Sequence, residues 1–103
     1  MLDDYISNMR EEIVEKVREC VKIESVEDTP KDNMPFGEGV NNALMYALKL
    51  SKDLGFKAVN RDNMVGYAEY GSGKEMVAVL GHLDVVPAGD GWTYPPFDAE
   101  IHN

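Results

Sequence analysis

His82 and Asp84 are the residues whose types and spacing are best suited to chemistry. They follow the apolar run Met76-Val77-Ala78-Val79-Leu80, which is typical of a β-strand buried on both faces. Because successive side chains of an extended backbone point to opposite faces, residues two apart emerge on the same side, with attachment points roughly 7 Å apart. An imidazole can bind a metal through one ring nitrogen and donate its other N–H to a carboxylate, which fixes the tautomer. The pair therefore predicts a metal-binding histidine oriented by a neighbouring acid.

The spacing of this pair alone does not separate a metal site from a structural role. A histidine and an aspartate two residues apart occur by chance in many chains, and an aspartate at a strand end often caps a turn. The residues that follow are Val85-Val86-Pro87-Ala88-Gly89-Asp90-Gly91-Trp92-Thr93-Tyr94-Pro95-Pro96-Phe97. Their glycines and prolines predict a sharp turn, and their aromatic rings supply stiff apolar surface. That surface either excludes water from a site or covers a sheet edge.

The run from Gly81 to Phe97 resembles the metal-binding signature of the co-catalytic zinc metallopeptidases of the aminoacylase and carboxypeptidase type. Within that group it is most similar to the bacterial PepV-like dipeptidases. The resemblance extends upstream to Pro35-Phe36-Gly37 and to Asn63-Met64-Val65-Gly66-Tyr67-Ala68-Glu69-Tyr70-Gly71. The first third of the chain is compatible with this family but does not identify it.

The resemblance implies that His82 is the first zinc ligand and that Asp84 is the catalytic-site acid that orients it. The implied reaction is hydrolysis of a dipeptide or similarly small peptide at a two-zinc centre. A hydrolytic zinc site needs about three protein ligands and an open position. The resemblance places the bridging aspartate, the glutamate general base and the other ligands beyond Asn103. We therefore interpret residues 1–103 as the N-terminal portion of a catalytic domain, inactive and weakly zinc-binding by itself.

Alternatives to a dipeptidase remain open at this stage. Deacylases, desuccinylases and carboxypeptidases of the same fold share the His-x-Asp strand end, although the runs Asp90–Phe97 and Gly66–Gly71 favour a dipeptidase. A different class of protein, a non-catalytic small α/β module, would use His82 and Asp84 only structurally. A stop codon soon after Asn103 is expected for that module.

Composition narrows the classes of partner. The 103 residues include 19 acidic and 10 basic side chains, and the resulting net charge of −9 disfavours nucleic acid and anionic membranes as partners. The single cysteine, Cys20, cannot form an intramolecular disulfide, which fits a reducing compartment. No apolar run approaches the roughly 18 residues that span a bilayer, and the N-terminus lacks a signal-peptide pattern. We expect a cytoplasmic protein with a small peptide substrate, and self-association through any exposed sheet edge.

Apolar periodicity predicts the helices. Apolar residues recur every three or four positions from Asp3 to about Lys22, which is the pattern of one long amphipathic helix. A loop containing Pro30 follows it. A second helical pattern runs from about Asn41 to Leu54, and Gly55 occupies the usual position just past a helix end.

Alternation and turn residues predict three strands, at Phe56–Asn60, Met64–Tyr70 and Glu75–Leu80. The first two should form a hairpin around Arg61-Asp62-Asn63. We expect an α/β fold in which the helices pack on a mixed sheet with Glu75–Leu80 as the central strand.

Three other local features give weaker indications of a functional role. The loop Gly71-Ser72-Gly73-Lys74 lacks the longer glycine spacing of a phosphate-binding loop, and its lysine precedes a strand instead of opening a helix. We reject a phosphate site there. Phe36 lies either at the active-site rim, as the resemblance implies, or against the start of the second helix. We interpret His102 as an exposed histidine without a mechanistic role.

Overall fold

The computed structural model describes residues 1–102, which divide into two compact units. The terminal unit consists of residues 1–23 and the segment from Ala88 onward, and the central unit is Glu24–Pro87. The secondary-structure elements are α1 (Leu2–Asn8), α2 (Arg10–Val21), α3 (Glu38–Asp53), β1 (Lys57–Arg61) and β2 (Val65–Glu69). The predicted α/β class is confirmed. Among residues 1–102, no helix combines the length and the apolar character that crossing a bilayer requires.

The first helix differs from the prediction because it is interrupted at Met9. The Met9 N–H donates to the Ile6 carbonyl at 3.0 Å, which is a tighter turn than an α-helical one, and the next helix begins at Arg10. Ser7 and Asn8 precede the break, and short polar side chains of this kind compete with helical hydrogen bonds. The single helix predicted from Asp3 to Lys22 is therefore wrong in its continuity, although the whole stretch is largely helical.

The ends of α3 are set by two glycines with positive φ. Gly37, at φ 93°, precedes the first helical residue Glu38, so the helix begins before the predicted Asn41. At the other end Gly55 has φ 94°, and its N–H donates to the Lys52 carbonyl at 3.0 Å. The following N–H, from Phe56, donates to the Ser51 carbonyl at 2.9 Å. This pair of bonds is a Schellman motif, which confirms the predicted helix end at Gly55.

β1 and β2 form the predicted antiparallel hairpin, with Lys57 opposite Glu69 and Arg61 opposite Val65. Asp62 and Asn63 have φ values of 58° and 56°, and the Met64 N–H donates to the Arg61 carbonyl at 3.0 Å. Two successive residues with positive φ, closed by this hydrogen bond, are the features of a type I′ turn, in which Asp and Asn are favoured.

The apolar core of the central unit lies between α3 and the hairpin. Ala43 and Leu44 of α3 are buried, at 2% and 8% exposed. Gly66 of β2 faces the same helix, and a Cβ there would lie 2.8 Å from Leu48 Cδ2 and 3.1 Å from Leu44 Cδ1. The missing side chain therefore lets the strand approach the helix closely.

The predicted central strand Glu75–Leu80 is not formed, and this part of the sheet prediction is wrong. The only ladder within residues 1–102 joins β1 and β2, and parallel pairing in the central unit is limited to one bridge between Val26 and Val85. Val77 and Leu80 are 96% and 98% exposed. A run of valines favours an extended backbone, but a strand is stabilised by cross-strand neighbours, and no described segment supplies them here.

Candidate functional site

Ser25 holds the backbone on which the predicted site residues lie. Its Oγ donates to the Leu83 carbonyl oxygen at 2.8 Å, and its own carbonyl accepts from the Val85 N–H at 3.0 Å. The next residue, Val26, forms the parallel bridge with Val85. The two hydrogen bonds lie on either side of Asp84. The chain is therefore fixed around Asp84, although residues 75–80 before it are unpaired.

His82 and Asp84 lie together, as their spacing predicts. His82 Nδ1 is 3.0 Å from the Asp84 carbonyl oxygen and 3.3 Å from Asp84 Oδ1. A carbonyl oxygen can only accept, so Nδ1 carries the proton in the neutral ring and Nε2 is left with a free lone pair. The two side chains are 82% and 63% exposed, respectively. The imidazole therefore presents an accessible nitrogen donor while its other nitrogen is held.

A cleft of about 570 Å³ in the central unit borders this pair. Its lining includes Leu44 and Leu48 from α3, Gly66 and Tyr67 from β2, and His82 and Asp84. Phe36 also contributes to the lining, just before the first residue of α3. One wall of the cleft is therefore apolar, and the imidazole of His82 and the carboxylate of Asp84 lie at its border.

The described residues supply one donor of a metal site and not a complete one. Within residues 1–102 there is no group of three or more histidine, cysteine, aspartate or glutamate side chains able to hold a metal ion. The chemistry of His82 fits a metal ligand, because Nε2 is free and Nδ1 is supported by an acidic residue. A tetrahedral site requires about three such protein ligands.

The aromatic run after the site packs within the terminal unit. Trp92 Nε1 donates to the Ala88 carbonyl at 2.9 Å, and Arg18 Nε of α2 donates to the Ala99 carbonyl at 2.8 Å. The His102 ring stacks on Tyr94, with 3.5 Å between ring centroids and 9° between ring planes. Trp92 and Tyr94 are 58% and 47% exposed, and the two roles predicted for the aromatic residues stay predictions. His102 is exposed, as expected, but it has a ring partner that the sequence did not indicate.

Ser25 is the site residue that sequence reasoning missed. It lies in a short loop after α2, and its hydrogen-bond partner Leu83 is 58 positions further along the chain. Among residues 1–102, it is the one polar or charged residue that is buried as a whole, at 5% exposed. No local pattern predicts such a contact, because neither helix nor strand periodicity relates these two positions.

Comparison with known proteins gives relatives over nearly the whole chain, although no protein-family model matches it. The chain is 45% identical over 96 residues to the Bacillus subtilis (strain 168) protein named "Putative dipeptidase YtjP", covering 91% of this chain and 21% of that protein. It is 36% identical over 94 residues to the Beta-Ala-Xaa dipeptidase of Lactobacillus delbrueckii subsp. lactis, covering 89% of this chain and 20% of that protein.

A protein of Staphylococcus haemolyticus (strain JCSC1435), named "Putative dipeptidase SH1171", is 36% identical over 103 residues, which is 98% of this chain and 22% of that protein. The chain thus spans about a fifth of the length of the curated relatives it matches. Over the part of their length that it spans, the chain is similar to proteins named as dipeptidases, which agrees with the resemblance carried by its motifs.

Proposed function

We propose that a polypeptide carrying this chain hydrolyses dipeptides or similarly small peptides in a zinc-dependent reaction, with His82 as a zinc ligand. The observation that carries the proposal is the orientation of His82, whose Nδ1 lies 3.0 Å from the Asp84 carbonyl oxygen. This contact leaves Nε2 as the donor. The relatives are named as a dipeptidase or a putative dipeptidase, and these names support a peptide as the substrate.

Asp84 acts through His82 in this proposal. Its carboxylate oxygen lies 3.3 Å from Nδ1, where a negative charge favours the tautomer protonated at Nδ1 and helps to fix the orientation of the ring. Nε2 of His82 would hold the zinc together with further ligands, and a zinc ion held there would supply Lewis acidity toward the substrate carbonyl. Asp84 is therefore neither the nucleophile nor the general base.

The cleft beside the pair supports a small substrate. Its volume of about 570 Å³ lies within the roughly 300–1,000 Å³ that is usual for small-molecule sites. Leu44 and Leu48 form an apolar wall that suits an uncharged side chain, while His82 borders the same space. A peptide bond placed at that border would lie next to the proposed metal ligand.

The proposal is tested by measuring metal content and turnover together on variants of the protein in the length that the cell makes. His82→Ala removes a zinc ligand, so zinc content should fall and activity should collapse even in excess zinc. Asp84→Asn keeps the shape of the side chain but removes its charge, and should lose about 10–100-fold in metal affinity or rate while largely keeping zinc at saturation. The matched control is His102→Ala, which removes the other histidine of residues 1–103 and should change neither quantity.

A full metal complement in His82→Ala, or full activity in Asp84→Asn, would contradict the assigned roles. Parallel assays with dipeptides and with N-acyl amino acids separate a dipeptidase from a deacylase of the same fold. The 103-residue chain by itself should be inactive and should bind zinc weakly, because one histidine and one carboxylate do not fill a tetrahedral site. Calorimetric titration with zinc measures this, and tight one-to-one binding would be the opposite result.

A further inference from the structure

We infer that Ser25 is a positioning residue for the His82–Asp84 pair, because its hydroxyl and its carbonyl together fix the backbone that presents Asp84 to His82 Nδ1. The inference rests on the proposed function, in which Nε2 of the same ring binds the metal. It assigns a purpose to a buried polar side chain that lies far from the pair in sequence.

The burial of Ser25 makes its hydrogen bond costly to lose. Only 5% of the residue is exposed, and its hydroxyl is the donor in the 2.8 Å contact because the Leu83 carbonyl can only accept. Buried polar groups that lose their partner are left without water to replace it. The hydroxyl is therefore held in one direction, and so is the carbonyl that it contacts.

The two hydrogen bonds of Ser25 fix both peptide planes next to Asp84. The Leu83 carbonyl belongs to the plane before Asp84, and the Val85 N–H belongs to the plane after it. In a planar trans peptide the N–H and the C=O point in opposite directions. When the Val85 N–H points to Ser25, the Asp84 carbonyl must point away from Ser25, which is where His82 Nδ1 lies at 3.0 Å.

The position of Ser25 depends in turn on α3. Gly39 in the first turn of α3 has no side chain, and a Cβ built there would overlap the carbonyl oxygen of Glu24. The loop before Ser25 can therefore lie directly on the helix. This close approach brings the loop that carries Ser25 against the first turn of α3.

The tautomer of His82 is the readout, because stability alone would also change if Ser25 were merely structural. The 103-residue chain contains only two histidines, His82 and His102. The imidazole nitrogen spectrum of this chain labelled with ¹⁵N therefore contains signals from two rings. The His102→Gln variant shows which signals belong to His82. All spectra are recorded at one alkaline pH, which is the same for every variant.

The variants separate the effect of losing the Ser25 hydroxyl from the effect of a general disturbance of the fold. In the wild-type chain we expect the His82 proton on Nδ1, and in Ser25→Ala we expect a shift toward the form protonated at Nε2. Ser25→Thr keeps the hydroxyl and should keep the wild-type tautomer. The matched control is Ser51→Ala, because the Ser51 hydroxyl also donates to a carbonyl at 2.8 Å, that of Ala47, in the same unit.

Several results would overturn the inference. One is a wild-type ring protonated at Nε2, and another is a folded Ser25→Ala chain with an unchanged tautomer. Equal shifts in Ser25→Ala and Ser51→Ala would show a general loosening of the unit instead of a positioning role. Should Ser25→Ala not fold, Ser25→Cys takes its place, since a thiol has similar size and donates only weakly. A tautomer that depends on Ser25 together with a His82→Ala variant that keeps its metal would leave the positioning role intact and reject the proposed function.

Discussion

β2 and residues 75–80 have similar sequence character and different structures, although both belong to the central unit. Each stretch contains two residues that strongly favour strands, Val65 and Tyr67 in β2 and Val77 and Val79 in residues 75–80, and residues 75–80 are the more apolar of the two. β2 pairs with β1 over five residue pairs, whereas residues 75–80 are unpaired and Val79 is 98% exposed. Pairing, more than propensity, therefore decides where this chain forms a sheet.

The segment immediately after residues 75–80 is held in place although it is not part of a sheet. Residues 81–85 form no ladder either, but two hydrogen bonds to Ser25 hold them on the central unit. The buried residue Ser25 thus holds in place a segment that belongs to no sheet. The unpaired backbone before it remains open to strand pairing with another chain, so the predicted self-association stays a prediction.

Replacing a leucine by alanine should affect stability very differently in the buried core of the central unit and in the exposed residues 75–80. Leu44 is buried between α3 and the hairpin, so Leu44→Ala should lower the free energy of unfolding by about 2 kcal/mol or more. Leu80 is almost fully exposed, and Leu80→Ala should change it by less than about 0.5 kcal/mol. Urea unfolding followed by circular dichroism measures both. Equal losses would mean that Leu80 is buried in solution, and a dependence on protein concentration would attribute that burial to self-association.

Two glycines provide a second matched pair with a smaller expected effect. Gly39→Ala places a Cβ on the Glu24 carbonyl and should destabilise the central unit by about 1–3 kcal/mol. Helix propensity alone predicts the opposite sign, a gain of about 1 kcal/mol. Gly81→Ala is the control, because no atom of residues 1–102 beyond its chain neighbours lies within 4 Å of the added Cβ. A stabilising Gly39→Ala in the same urea titration would show that the loop before Ser25 does not lie on α3.

The smallest expected effect concerns the solvent-exposed last turn of α3. The hydrogen bond from Lys49 to Asp53, at 2.8 Å, and the negative charge of Asp53 raise the pKa of Lys49 above its ordinary value. A pKa raised by folding contributes stability that is fully present below the ordinary lysine value of about 10.4 and is lost as the pH rises through the raised value. Asp53→Asn should return the Lys49 titration, followed by NMR of its side chain, to the ordinary range. An unchanged titration in that variant would mean that the ion pair is not formed in solution.

Features that depend on a few neighbouring residues were predictable from the sequence. Gly55 ends α3, and the turn at Asp62 and Asn63 closes the hairpin, because both depend on residues that tolerate positive φ. The proximity of His82 and Asp84 is of the same kind, since residues two apart on an extended backbone share a face. The break at Met9 is also local, but apolar periodicity does not report it.

Tertiary structure alone decided that residues 75–80 are left unpaired and that the segment with His82 and Asp84 is held by hydrogen bonds. The sequence by itself determined that residues 75–80 are largely apolar and favour a strand, but a strand needs neighbours, and no segment within residues 1–102 pairs with them. It likewise placed an imidazole next to a carboxylate, but the peptide planes that orient them are fixed by Ser25, which is 58 positions from Leu83. Local patterns encode backbone conformation and side-chain proximity, whereas burial and hydrogen-bond partners arise only when distant segments meet.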